Sequence, residues 1–128
     1  MIDSRDYDSA YFPTMPVVDL TLENIATGTR GEKITAIVDS GADSCILPIK
    51  YLDAIGSESI RKAQMVGVAG IGLQVEVHLL IFHLGAFTVY GVETVADEQN
   101  REAIIGRNVL NQLVVTLNGI AGVIEITD

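Results

Sequence analysis

Ala36-Ile37-Val38-Asp39-Ser40-Gly41-Ala42-Asp43 is a short apolar run that ends in an acidic, glycine-containing turn. The run has the character of a buried strand, and Asp-Ser-Gly breaks it where Gly41 can turn tightly. Asp39 is thereby delivered to the edge of a core, with Ser40 and backbone N–H groups close by. A carboxylate so placed is either a structural cap or a catalytic group. The turn preference of Asp, taken alone, favours the cap.

Upstream, residues 1–10 carry Asp3, Asp6 and Asp8 with little apolar content and read as a flexible tail, leaving 11–128 as one domain. Tyr11 and Phe12 are expected to begin the contact with that domain. Val18, Leu20 and Leu22 alternate with Asp19 and Thr21, the period of a half-buried strand. A loop over 26–31 returns the chain as the strand that carries Asp39. Downstream, Cys45-Ile46-Leu47 is another short strand, and Pro48 opens a helical turn to about Ala54. Residues 65–77 read as a hairpin with a glycine-containing tip, and 79–84 and 87–95 as two strands about Gly85. A polar loop over 97–102 precedes Ile104-Ile105, a short helix over 107–112 and a strand over 113–117. Asn118-Gly119 then signals a turn into a last strand over 123–127. The pattern is that of a small all-β domain with one or two short helices.

Three segments carry a resemblance. Val38-Asp39-Ser40-Gly41-Ala42-Asp43 resembles the Asp-Thr/Ser-Gly-Ala active-site motif of the retroviral-type aspartic proteases, the retropepsins. Ala103-Ile104-Ile105-Gly106-Arg107-Asn108-Val109-Leu110 looks like that family's second signature, an Ile-Ile-Gly-Arg segment opening a short helix. Between them, Met65-Val66-Gly67-Val68-Ala69-Gly70-Ile71-Gly72 sits where the family carries its flap. Together, in order, the three cover most of the chain from Pro16 to Leu117.

The resemblance implies a closed, barrel-like β fold with a flap hairpin, and aspartic endopeptidase activity without a cofactor. It makes Asp39, Ser40 and Gly41 the catalytic turn. Ala42, Asp43, Gly67, Val68, Ala69, Gly70 and Ile71 become substrate-binding residues, and Gly106 and Arg107 structural support. Asp43 and Arg107 are expected to form an ion pair beneath the turn. Such a protease needs two carboxylates around one water. The chain has one Asp-Ser-Gly, so a homodimer must supply the second. A non-catalytic binding or dimerisation module of the same fold is the alternative, although such a module has no need of Asp39.

Composition sets outer limits. The chain has 128 residues, 48% of them hydrophobic, and no Trp, so one aliphatic core is expected. The net charge of −9 disfavours a nucleic-acid partner and says little else; the peptide or protein substrate is what the resemblance implies. A single cysteine, Cys45, excludes an internal disulfide, and its apolar neighbours point to a buried thiol. No apolar stretch approaches the ~18–20 residues of a membrane span, and no signal peptide is evident. A cytoplasmic protein, or a soluble domain of a larger parent, is the expectation. His78 and His83 lie five apart, which places them on opposite faces of a continuous strand, and no zinc-type cluster exists. No metal site is expected.

Overall fold

The computed structural model describes residues 2–66, 70 and 72–128. In chain order its elements are β1 (Ile2–Asp6), β2 (Val17–Asn24), β3 (Arg30–Val38), β4 (Cys45–Pro48), α1 (Ile49–Ala54), β5 (Ser59–Val66), β6 (Gly72–Leu84), β7 (Phe87–Asp97), β8 (Ile104–Ile105), α2 (Arg107–Leu110), β9 (Val114–Asn118) and β10 (Val123–Thr127). The fold is all-β.

Seven strands form one sheet in the order β2-β3-β8-β4-β7-β6-β5, and β2 also pairs with β6. That extra ladder runs from Thr21↔His83 to Asn24↔Leu80 and curls the sheet into a closed ring, with β5 left outside it. Closure pairs the otherwise free edge of β2, and β5 remains as the one edge strand of this sheet among the described residues. The alternation read in the sequence holds: Val18, Leu20 and Leu22 on β2 point inward, and Ile34 and Ala36 do so on β3. They meet Leu47, Leu80, Phe82 and Leu84 in one aliphatic core. Each such side chain contributes about 1.5–3 kcal/mol by leaving water. Residues 79–84 do not form a separate strand; β6 runs unbroken from the hairpin into the barrel.

A smaller sheet, ordered β1-β10-β9, lies beside the barrel. It corrects the reading of residues 1–10 as a flexible tail. Ile2 to Asp6 pair antiparallel with Thr127 to Val123, and Tyr7 N–H reaches the Gly122 carbonyl at 2.8 Å. Asp3 and Asp8 each accept a backbone N–H, whereas the Asp6 side chain is exposed. Asp3 accepts from Ala86 N–H at 3.1 Å, and Arg5 pairs with Asp19 of β2 at 3.3 Å. A backbone ladder needs little hydrophobic side-chain area, so this strand left no periodic signal in the sequence. Phe12, expected to touch the domain, is fully exposed, whereas Tyr11 donates its hydroxyl hydrogen to Glu102. Among the described residues no helix is long and apolar enough to cross a membrane.

Candidate active site

Asp39 follows the last residue of β3, and its backbone N–H donates to the Ile105 carbonyl of β8 at 3.0 Å. β8 lies between β3 and β4, parallel to the first (Val38↔Ile105) and antiparallel to the second (Ile46↔Ile104). The turn over 39–44 therefore arches across the end of β8. It is closed by Ala42 N–H on the Asp39 carbonyl at 3.2 Å. Gly41 N–H donates to Asp39 Oδ1 at 2.8 Å, which fixes the half-buried carboxylate in its own turn. A Cβ on Gly41 would stand 3.0 Å from that same oxygen, so glycine keeps the approach open.

Support comes from α2 and the residue before it. Gly106 packs so closely that a Cβ there would lie 2.5 Å from the Ser44 carbonyl oxygen and 3.0 Å from that of Ala42. Arg107 N–H donates to the Ala42 carbonyl at 2.8 Å, and its guanidinium Nη1 donates to the Ser40 carbonyl at 2.8 Å. The ion pair expected between Arg107 and Asp43 is not formed. The guanidinium is spent on the turn's backbone, and Asp43 stands exposed at the rim.

Asn108, which the sequence reading passed over, joins three elements. Its Oδ1 accepts from Cys45 N–H at 3.1 Å and from the Cys45 thiol at 3.2 Å, and its Nδ2 donates to the Glu93 carbonyl at 2.8 Å. Cys45 is fully buried, and Gly106 N–H donates to its sulfur at 3.3 Å. Burial pushes the thiol up to about 11, against the opposing pull of Gly106 N–H, so Cys45 is no nucleophile. A polar side chain directly after Gly-Arg was the one sequence signal available for Asn108.

Above the turn, β5 and β6 form the hairpin read in the sequence, with Met65↔Leu73 and Val66↔Gly72 as its outermost pairs. Between hairpin and turn lies a groove of about 530 Å³. Gly41, Ala42, Asp43 and Ser44 line one side of it, and Ala63, Met65 and Val75 the other. Gly70 is exposed and has a φ of 73°, the left-handed conformation that glycine adopts freely. Gly67, Val68, Ala69 and Ile71, the remaining residues assigned to substrate binding, lie outside the described residues.

The histidines have separate structural partners. His78 is buried and bonds Ser57 Oγ through Nδ1 at 2.7 Å, whereas His83 bonds Glu23 at 2.8 Å and Thr88 at 3.2 Å. Among the described residues, no three His, Cys, Asp or Glu side chains come together as a metal-binding group.

The retroviral aspartyl protease family matches residues 14–118 of this sequence. The chain belongs to that family. The structure also resembles a retropepsin-like aspartic protease from Rickettsia conorii, with a TM-score of 0.68 over 98% of this chain and 91% of that one. Sequence identity across the match is 9%, so the likeness is one of fold. A search of curated protein sequences finds no match. Within the protease-family fold, the Asp39 turn and the Gly106-Arg107 support come from strand ends that β8 joins, which is why segments distant in sequence form one site.

Proposed function

We propose that the chain is a homodimeric aspartic endopeptidase whose active centre forms where two Asp39 turns meet across a two-fold axis. The observation that carries this reading is the Asp39 carboxylate, held by Gly41 N–H at 2.8 Å beside a groove floored by the same turn. Two carboxyls brought together in this way share one proton, because like charges at close range resist joint ionisation. The ionised Asp39 takes a proton from a water molecule, whose oxygen adds to the scissile carbonyl carbon. The protonated Asp39 gives its proton to the carbonyl oxygen. Collapse of the resulting diol breaks the C–N bond as the nitrogen is protonated, releasing a carboxylic acid and an amine. No cofactor enters.

Ser40 is assigned to a hydrogen-bonded lock between the two turns, and the β5–β6 hairpin to a flap over the bound peptide. The β9–β10 hairpin supplies the rest of the interface. β9 is an edge strand, and Val114, Leu117 and Ile120 are exposed on it and on the loop that follows. An unpaired apolar edge of this kind is a template for a second chain.

The test is cleavage of a mixed peptide library by wild type and Asp39→Asn, with and without a statine-type inhibitor, alongside sedimentation. A dimer is expected, with inhibitable cleavage that falls at least ~10²–10⁴-fold in the variant while circular dichroism is unchanged. An Asp39→Asn protein that cleaves at the wild-type rate, or a monomer that cleaves, overturns the reading.

A further inference from the structure

Beside the groove lies a second pocket of about 180 Å³ that shares Ile46, Met65, Val75 and Val95 with it. The two spaces are thus continuous along one apolar wall, but their charges differ. The groove is lined by Arg61 and Arg107 as well as Asp43 and Glu93. The adjoining pocket carries Glu76, Asp97 and Glu98 against Arg101 alone.

Those four charges are not equivalent. Asp97 is buried, and Arg101 donates to its two carboxylate oxygens at 3.1 and 3.3 Å, so that pair is satisfied internally. Glu76 accepts the Ser59 hydroxyl and stands directly cross-strand from Lys62, so its carboxylate is engaged on the β5 side. Glu98 is exposed at the rim and has no partner among the described residues. One carboxylate, Glu98, therefore remains without a cation at the mouth of a pocket walled by Ile46, Leu73, Val75 and Val95.

We propose that this pocket receives a lysine or arginine side chain of the substrate, with Glu98 as the specificity-determining group. The inference rests on the peptidase reading and adds a substrate class to it. A basic side chain suits the pocket in both halves. Its methylene stem lies along Leu73, Val75 and Val95, and its charged tip stays at the wet rim beside Glu98. A neutral isostere loses the charge complement, and an acidic side chain is repelled.

The test uses a positional library of immobilised octapeptides carrying Lys, Arg, Gln or Glu at each site. Binding is read with the full-length Asp39→Asn protein and cleavage with wild type. Lys or Arg is expected to be enriched over Gln at one position by about fivefold, the scale of a single exposed ion pair. The enrichment should shrink at high salt and invert towards Glu in Glu98→Lys. Glu32→Gln, an exposed carboxylate on β3 outside the pocket, should keep the wild-type ratio. Absence of a basic preference, or one indifferent to Glu98→Lys, overturns the proposal. Basic-selective binding without any wild-type cleavage would sink the peptidase reading and leave this one standing. Cleavage without basic preference would do the reverse, and neither binding nor cleavage would end both.

Discussion

The guanidinium of Arg107 donates to the carbonyl oxygen of Ser40 at 2.8 Å, so the residue that opens α2 braces the backbone of the Asp39 turn. Arg107 is itself exposed, and its bond is to a neutral carbonyl. Arg107→Ala should therefore lower Tm by only a few degrees. Loosening the turn should cost cleavage about 10–100-fold through misplacement of Asp39. Arg101→Ala, which deprives buried Asp97 of its cation, should lower Tm further than Arg107→Ala does. Thermal melts and kcat/KM of the two variants check the ranking. An Arg107→Ala protein with wild-type kcat/KM would show that the brace does not position the turn.

Two glycine substitutions should differ sharply. At Gly106 a methyl group meets backbone oxygens of Ser44 and Ala42 that cannot rotate away, whereas at Gly119 nothing lies within 4 Å. Gly106→Ala should cost about 1–3 kcal/mol, the usual penalty of overpacking, and should disturb the turn directly. Gly119→Ala should be close to neutral. Chemical denaturation of both proteins decides the matter, and equal midpoints would contradict the close approach of Gly106 to the turn.

Stability should fall with acid in two stages. Burial disfavours the His78 imidazolium and outweighs the nearby charges of Asp53 and Glu76, holding the folded value below the ordinary one of about 6.5. The unfolded chain then binds the proton first. The neutral ring's contribution is complete above that value and erodes as pH falls below it. For Asp97, burial pushes the carboxyl up. Bonds from the Arg101 guanidinium and from the N–H groups of Gln99 and Arg101 outweigh burial and hold it below the usual carboxylate range. Its contribution is present above the unfolded value of about 3.9 and is lost as pH drops through the lower folded one. Tm should be flat above pH 7, decline from about pH 6.5, and fall more steeply below about pH 4. His78→Gln should remove the first decline and leave the second. If its Tm profile between pH 7 and 5 parallels wild type, His78 is not the group responsible.

Much of the barrel was legible because its strands alternate cleanly: Leu20 and Leu22, and Ile34 and Ala36, are inward at every second position. The Asp39 turn and the Gly106-Arg107 segment were legible as local patterns of glycine and charge. What escaped was long-range backbone pairing without a side-chain period. β1 is held mainly by its ladder to β10, so its acidic composition suggested a tail. The Asp43–Arg107 pairing failed for a related reason. Complementary charges mark what is possible, but a backbone carbonyl, invisible as a residue type, won the guanidinium. Asn108 is the same lesson in a side chain, since its role depends on the thiol and carbonyl that the fold brings to it.

One strand carries two mechanical tasks. β6 is exposed or half-exposed from Gly72 to Glu76, becomes buried at Val77 and His78, and ends in the ladder that closes the ring against β2. It is a cantilever: its outer third hangs over the groove, and its root is clamped in the core. Bending at the free end is therefore resisted where burial begins, near the His78–Ser57 contact, and the compliance of the overhang is set by packing remote from its tip.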